Sequence, residues 1–143
     1  MAFSIRQPVR HPDVDRAGIV YFPRFYDFFH RALEDFFGEE VGVGFWDVEE
    51  KMGVAFPAVH VETDFQRPLQ HGDLVRVEIT TERVGSKSIG LRYRVYRPDS
   101  PEPAAISRIV LACIQVPGWQ PTQLASVGAP KTPTPLDRLV AAL

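Results

Sequence analysis

Two periodicities of apolar residues divide the first 116 residues into strands and helices. Apolar and polar residues alternate in five segments, and this two-residue period is typical of strands with one buried face. Val75, Val77 and Ile79, for example, alternate with polar neighbours. The predicted strands cover residues 3–10, 56–66, 73–84, 88–97 and 104–116. Pro8 suits the first strand to a sheet edge, because proline cannot donate to a neighbouring strand. Turns are predicted at 71–73, 85–87 and 98–101.

A spacing of three to four residues predicts one long helix over residues 24–37. Its apolar stripe consists of Phe25, Phe29, Ala32, Leu33 and Phe36. Core packing explains this stripe without any ligand. Pro23 suits the first helical position, and Gly38 is a stop signal. A second, short helix is predicted over Phe45–Met52, closed by Gly53.

The order of these elements indicates an α+β fold, with one strand, one long helix and then four antiparallel strands. One face of such a sheet packs on the helix, and the other face needs different cover. The last strand carries apolar residues on both faces, so we expect a second sheet or subunit against it. These residues are Ile106, Val110, Ala112 and Ile114 on one face and Ile109 and Leu111 on the other.

Residues 117–143 differ in character from the rest of the chain. Repeated prolines interrupt any regular pattern, which predicts an irregular surface arm. The arm is expected to end in a short amphipathic helix, with Thr134 as its N-cap and Pro135 in its first turn. By length, the whole chain of 143 residues is expected to be one domain.

Composition excludes several classes of protein. Hydrophobic residues make up 45% of the chain and the formal net charge is −2, which does not favour a nucleic-acid partner. The one cysteine, Cys113, lies in an apolar run and is predicted to be a buried hydrophobe. A disulfide and a metal site are therefore not expected. The chain shows neither an export signal nor an apolar run long enough for a membrane span, so the cytoplasm is the expected compartment.

The segment 13–23, Asp-Val-Asp-Arg-Ala-Gly-Ile-Val-Tyr-Phe-Pro, carries the candidate chemistry. It places Asp13 and Asp15 on a short turn just before the long helix. Unpaired N–H groups at a helix N-terminus can hold a developing oxyanion, and a nearby carboxylate can act as base or nucleophile. This combination favours a small acyl-transfer site. The chain has no Gly-x-Ser-x-Gly elbow that would indicate a serine hydrolase.

This segment, followed by Phe-Tyr-x-Phe-Phe at 25–29, resembles the signature of hot-dog-fold acyl-CoA thioesterases of the 4-hydroxybenzoyl-CoA type. A second stretch, 55–69, is similar to a strand of the 1,4-dihydroxy-2-naphthoyl-CoA thioesterases. Together the resemblance covers residues 3–116. It implies an antiparallel sheet wrapped around the helix and hydrolysis of an aryl or other compact acyl-CoA. It also implies a homo-oligomer, either a dimer or a tetramer built from two dimers, and coenzyme A only as part of the substrate.

The resemblance also implies roles for individual residues. Asp15 matches the catalytic acid, either as nucleophile or as general base, and Asp13 is then structural. The backbone N–H of Phe22 is expected to bind the thioester oxygen. Gly18 either allows the substrate to approach the backbone or only permits a tight turn. Tyr21 is a candidate substrate contact.

Two further candidates lie on the strands. His60 alternates with valines and is either structural or a contact in the acyl pocket, and no other histidine has metal-ligand spacing with it. The turn containing Ser86, Lys87 and Ser88 is a candidate for the phosphates of coenzyme A, or else a solvated hairpin tip. Lys87 is the strongest of these three, because its charge suits a phosphate.

Other functions remain open on the sequence. One is a general short-chain acyl-CoA thioesterase. A hot-dog hydratase or dehydratase is disfavoured, because those enzymes usually pair a histidine with an acid that this turn lacks. A non-catalytic acyl-CoA-binding protein would be expected to have lost the acid at Asp15.

Overall fold

A five-stranded antiparallel sheet packs against one long helix in the computed structural model, which describes residues 2–116 and residue 121. The elements are, in chain order, β1 (Ala2–Pro8), α1 (Arg24–Phe36), α2 (Phe45–Met52), β2 (Val54–Ala55), β3 (Ala58–Phe65), β4 (Leu74–Val84), β5 (Ser88–Tyr96), β6 (Pro103–Ala112) and β7 (Ile114–Gln115). The strand order in the main sheet is β1-β4-β5-β6-β3, and β2 pairs with β7 separately. The predicted α+β architecture is confirmed, and Pro8 does lie on an edge strand.

The core lies between α1 and the inner face of the sheet. Along β5, buried and half-buried residues alternate without exception, as the two-residue period requires. Tyr93 on this strand packs against Phe29 of α1, with ring centroids 5.2 Å apart. Each fully buried aromatic or aliphatic side chain of this kind contributes about 1.5–3 kcal/mol to folding. The sheet therefore fixes α1, and with it the turn that precedes the helix.

The predicted end of the long helix is wrong. Instead of stopping at Gly38, the chain continues from α1 through a π-helical turn, Phe37–Val41. Phe37 and Val41 are buried, so packing keeps this turn helical despite the glycine. The left-handed residue that ends the helix is Gly42, with φ of 81°, whose N–H donates to the Phe37 carbonyl at 2.9 Å.

The predicted strand 104–116 is divided in two. β6 ends at Ala112, and the buried Cys113 separates it from β7. The N–H of Cys113 donates to the carbonyl of Lys87 at 2.9 Å, and the N–H of Ala112 donates to the carbonyl of Pro57. The chain turns at this point toward β2, and this pairing between distant segments was absent from the sequence-based prediction.

The outer face of β6 is partly exposed in a single chain, so the expectation that a second sheet or subunit covers it stays a prediction. Arg108 is exposed there, and the neighbouring Ile106 and Val110 are half-buried. Acidic and basic side chains pair on this face: Glu78 pairs with Arg76 along β4 and with Arg94 of β5, and Glu82 pairs with Arg92 of β5 and Arg108 of β6. The outer face therefore carries ion pairs as well as the half-buried side chains of Ile106 and Val110.

Exposed apolar side chains gather at the β3 edge. Among the described strands β3 pairs only with β6, and it exposes Val59, Val61 and Phe65 to 62%, 42% and 45%. An exposed edge strand with apolar side chains is a site where another strand can pair. The predicted arm and terminal helix at 117–143 lie outside the described residues, apart from residue 121. No described helix is long and apolar enough to cross a membrane.

Candidate active site

The turn that carries Asp15 is held by backbone hydrogen bonds on both of its arms. The N–H of Asp15 donates to the carbonyl of Ile19 at 2.9 Å, and the N–H of Gly18 donates to the carbonyl of Asp15 at 3.0 Å. One carboxylate oxygen of Asp15 accepts the N–H of Ala17 at 2.8 Å. The side chain is exposed, and no described residue donates a hydrogen bond to its second oxygen. Asp15 is thus positioned by its own turn while one oxygen stays available to a substrate or water.

Asp13 has the opposite environment. Its side chain is 6% exposed, and its carboxylate accepts the backbone N–H of Arg10 at 2.9 Å. Its own carbonyl accepts the N–H of Tyr21 at 3.0 Å, which connects the two arms of the turn. The structural use of Asp13 expected from the resemblance is therefore visible in its hydrogen bonds.

The start of α1 leaves one backbone donor uncommitted. Pro23 has no N–H and precedes the helix as its N-cap, with φ of −62°, one position earlier than predicted. The neighbouring residues each donate a backbone N–H to a carbonyl oxygen at 2.8–3.2 Å. The donors are Tyr21, Arg24, Phe25 and Tyr26. Among residues 21–26 the N–H of Phe22 alone has no acceptor in the described part of the chain. It lies close to the positive end of the helix dipole, where an anionic oxygen is favoured.

Gly18 is required by the turn itself. Its φ is 78°, a left-handed conformation that side chains disfavour, and a Cβ placed there would meet no atom of the chain within 4 Å. The backbone conformation therefore explains the glycine. The open space beside it leaves room for an approaching group. Tyr21 is 54% exposed on the same segment, with its ring 5.5 Å from that of Phe22.

A largely apolar cavity of about 380 Å³ lies between the two helices and the sheet. Its walls come from α1, α2, β3, β5 and β6 and include Tyr26, Phe29, Leu33, Phe45, Val61 and Leu111. Its volume falls in the range of small-molecule sites, about 300–1,000 Å³. Sequence reasoning missed this cavity, because the apolar stripe of α1 is explained equally well by a closed core. Only the tertiary packing shows that part of the stripe borders open space.

A histidine and a glutamate are among the residues that line this cavity. His30 of α1 lies edge-on to Phe45 with centroids 5.3 Å apart, and its Nε2 is 3.2 Å from Glu34. Glu49 of α2 is half-buried and has no hydrogen-bond or ion-pair partner among the described residues. Polar groups in a mostly apolar pocket orient a ligand, so these two could distinguish acyl groups by their substituents.

The structure places His60 on the outer face of the sheet. Its Nε2 lies 2.9 Å from the carboxylate of Glu62, and this contact lowers the pKa of Glu62. The residues that alternate with it face the helix instead, as Thr63 shows through its hydrogen bond of 2.9 Å to Tyr26 of α1. Within one chain, His60 therefore does not line the apolar cavity.

The turn of Ser86, Lys87 and Ser88 is the tip of the β4–β5 hairpin, closed by a bond of 2.8 Å from the N–H of Gly85 to the carbonyl of Ser88. Lys87 and Ser86 are exposed, and Lys87 has no ion-pair partner among the described residues. A charged, accessible lysine at this position is compatible both with binding a phosphate of coenzyme A and with being a solvated hairpin tip.

Asp15 and Lys87 of one chain lie at opposite ends of the sheet. Ile19 forms a bridge to Gln70, just before β4 begins, while the Lys87 turn follows the end of β4. β4 has 11 residues, so its ends are about 33 Å apart. The structure does not bring these two predicted site residues together within one subunit.

Neither the cysteine nor a metal cluster adds a further candidate site to the described residues. Cys113 is fully buried, and burial raises the pKa of its thiol to about 11, so it is not a nucleophile at neutral pH. In the part of the chain that the structure describes, no three His, Cys, Asp or Glu side chains cluster as metal ligands would.

Comparison with known proteins gives consistent results. The model of the thioesterase-like superfamily matches residues 9–135. A 1,4-dihydroxy-2-naphthoyl-CoA hydrolase from Nostoc punctiforme is 32% identical over 110 residues, covering 77% of this chain and 74% of that protein. The hydrolase of the same name from Picosynechococcus sp. is 32% identical over 118 residues, covering 77% and 79%.

Solved structures agree on the fold. The crystal structure of a 1,4-dihydroxy-2-naphthoyl-CoA thioesterase from Synechocystis matches with a TM-score of 0.78 at 24% identity, covering 89% of this chain and 92% of that one. The hot-dog fold expected from the resemblance is thereby confirmed. Since the family model matches most of the chain and curated hydrolases match it at about 30% identity, the protein belongs to the thioesterase-like superfamily and is a hot-dog-fold thioester hydrolase.

Proposed function

We propose that this protein hydrolyses a compact aryl acyl-CoA to the free acid and coenzyme A, with Asp15 as the catalytic carboxylate. One observation carries the proposal: the N–H of Phe22 is uncommitted at the start of α1, seven residues after the exposed carboxylate of Asp15. A carboxylate and an oxyanion donor on one rigid segment are the two groups that thioester hydrolysis needs.

The chemistry can follow either of two routes. As general base, Asp15 takes a proton from water, whose oxygen attacks the thioester carbonyl, and the carbon–sulfur bond then breaks. As nucleophile, the carboxylate itself attacks, coenzyme A leaves as the thiolate, and water cleaves the resulting anhydride. In both routes the Phe22 N–H and the α1 dipole stabilise the oxyanion. Because a thiolate leaves readily, no separate acid is required.

The apolar cavity is the proposed acyl site. Its aromatic and aliphatic walls favour a flat, compact acyl group, and His30 and Glu49 supply polar contacts for ring substituents. Two relatives are named as hydrolases of 1,4-dihydroxy-2-naphthoyl-CoA, whose acyl group is flat and aromatic. This supports an aryl substrate for this protein too.

The proposed site is shared between two subunits. Two copies that pair along β3 around a two-fold axis run antiparallel there, so opposite ends of their sheets become neighbours. The Asp15 turn of one subunit then approaches the cavity and the Lys87 turn of the other. The exposed valines of β3 support this pairing. Lys87, with Ser86 and Ser88, would bind the phosphates of coenzyme A, and two such dimers would form a tetramer.

A thiol-release assay over a panel of acyl-CoAs tests the proposal. The panel contains hydroxylated aryl, unsubstituted aryl, short-chain and long-chain acyl groups of coenzyme A. We expect the highest kcat/KM with a hydroxylated aryl group and the lowest with a long chain. Preference for short aliphatic groups would identify a general short-chain thioesterase instead. Binding without turnover of any member would identify a non-catalytic acyl-CoA-binding protein.

A further inference from the structure

Four arginines line a groove at the β1 edge of the sheet, opposite the β3 edge. The groove has a volume of about 330 Å³ and lies between β1 and the first half of α1. We call it the arginine groove and define it by Arg6, Arg10, Arg24 and Arg31, with Gln7 and Asp13 also lining it. All four arginines are exposed to solvent, as a ligand site on a surface requires.

Most of this positive charge is uncompensated. Five described arginines have no carboxylate within ion-pair distance among the described residues, and three of the five line this one groove. The five are Arg6, Arg10, Arg16, Arg31 and Arg83. Of the groove residues, only Arg24 forms an ion pair, with Asp27 at 3.0 Å. This concentration occurs in a chain whose formal net charge is −2, so it is a local feature.

The neighbouring acidic and polar groups do not neutralise it. The single carboxylate in the groove, that of Asp13, is buried and accepts the backbone N–H of Arg10 at 2.9 Å. Arg6 lies directly opposite Arg76 on β4, a like-charged pair that is unfavourable in a sheet. Arg76 is compensated by Glu78 at 3.0 Å, whereas Arg6 is not.

Gln7 gives the groove a fixed polar wall. Its side chain is 6% exposed, and its Nε2 donates to the carbonyl of Phe28 at 2.8 Å. Its Oε1 has no donor among the described residues. This oxygen is itself buried, so the guanidinium groups are the groove's accessible binding groups.

We propose that the arginine groove binds a small molecule that carries two or more phosphate groups. Guanidinium groups form paired, charge-assisted hydrogen bonds with phosphate oxygens, and several arginines along one groove favour a polyanion over a single carboxylate. The groove lies on the other edge of the sheet from the acyl cavity and from β3. The inference therefore does not rest on the proposed acyl-CoA site, and pairing along β3 would leave the groove accessible.

Isothermal titration of inorganic pyrophosphate tests the groove without any catalytic readout. We expect saturable binding to the wild-type protein and a loss of affinity of about tenfold or more in the double variant Arg10→Gln, Arg31→Gln. Arg83→Gln is the matched control, because Arg83 is equally exposed and unpaired but lies at the far end of β4. This control should bind pyrophosphate like the wild type.

Two outcomes would overturn the proposal. One is absence of saturable binding to the wild type, and the other is unchanged binding in the double variant; a loss in Arg83→Gln or Lys87→Ala would then place the pyrophosphate at the other end of β4. Competition then identifies the source of the phosphates. If coenzyme A displaces pyrophosphate in the Lys87→Ala background, the groove binds the nucleotide half of the substrate. If adenosine diphosphate displaces it and coenzyme A does not, the ligand is a separate nucleotide, and both results support a phosphate site.

Discussion

Asp13 and Asp15 lie two positions apart on one turn, yet their surroundings give them different uses. Asp13 is buried and satisfies a backbone N–H, whereas Asp15 is exposed and keeps one oxygen free. A buried carboxylate with a committed oxygen stabilises the fold, and an exposed one can reach a substrate. Stability and activity should therefore respond separately to changes at these two residues.

Asp15→Asn should lower kcat by at least about a hundredfold while the fold is retained, because the amide can act neither as base nor as nucleophile. Turnover is measured by thiol release on the best member of the acyl-CoA panel. Asp35→Asn, a matched change on the exposed side of α1, should have little effect. Near wild-type turnover in Asp15→Asn with a loss in Asp35→Asn would move the catalytic acid onto the helix.

Asp13→Ala should lower the free energy of unfolding by about 1–2 kcal/mol, because the N–H of Arg10 loses its acceptor in a partly buried hydrogen bond. Urea denaturation followed by circular dichroism measures this difference. Asp15→Ala removes only an exposed hydrogen bond to Ala17 and should cost less. The reverse order of the two losses would contradict the structural role of Asp13.

Cys113 should resist thiol reagents in the folded protein at about pH 8, because burial raises the pKa of its thiol to about 11. The folded state holds this thiol neutral. Its contribution to stability is therefore complete below the ordinary pKa of a cysteine and is lost as pH rises toward 11. Labelling by an aromatic disulfide reagent with and without urea measures the protection. Rapid labelling without urea would show that the thiol is accessible.

At the scale of elements, the ends of helices and hairpins carry the proposed functional groups. The start of α1 presents the Phe22 N–H, and the β4–β5 hairpin presents Lys87. The first is fixed by the turn and by the packing of α1 on the sheet. The second lies on an exposed tip, where it can add to binding without affecting the reacting carbonyl.

Lys87→Ala should raise KM for acyl-CoA several-fold and leave kcat almost unchanged, because a contact with a distant phosphate contributes equally to ground-state and transition-state binding. Steady-state kinetics with acyl-CoA and with the matching acyl-pantetheine, which lacks the nucleotide, measure the effect. The pantetheine substrate should be insensitive to the substitution. Equal losses with both substrates would exclude a phosphate contact.

At the scale of the whole molecule, the separation of Asp15 and Lys87 along β4 requires two subunits to complete the proposed site. Light scattering should give a mass of at least twice the 16.1 kDa chain, and a fully active monomer would exclude the shared site. The expected cover on the outer face of β6 stays a prediction, since that face carries ion pairs beside half-buried apolar side chains. The exposed apolar residues at the β3 edge also support an oligomer.

Subunit mixing tests the sharing directly. In a heterodimer of Asp15→Asn and Lys87→Ala, one site receives both substitutions and the other receives neither. After random exchange of equal amounts, we expect about half of the active sites to show the wild-type KM. If Asp15 and Lys87 acted from the same subunit, every site that retains Asp15 would carry Lys87→Ala, and only the raised KM would be observed.

Several features of the fold and site follow from the sequence alone. The strand alternation, the apolar stripe of α1 and the turn at Asp15 depend on residues within a few positions of one another. A local pattern is therefore enough to predict them. The edge position of β1 and the buried Cys113 belong to the same group, whereas the distinction between Asp13 and Asp15 comes from the resemblance to a family. For the catalytic role of Asp15, the sequence supplies a prediction that kinetics must test.

Other features are decided only by contacts between segments far apart in the chain. α1 passes Gly38 because Phe37 and Val41 are buried, and the strand 104–116 breaks at Cys113 because β7 pairs with β2. The apolar cavity needs both helices and three strands, and the arginine groove joins β1 to α1. The distance between Asp15 and Lys87 likewise depends on how β4 runs through the sheet. The local pattern of apolar and polar residues cannot predict these distances, because contacts between segments far apart in the chain determine them.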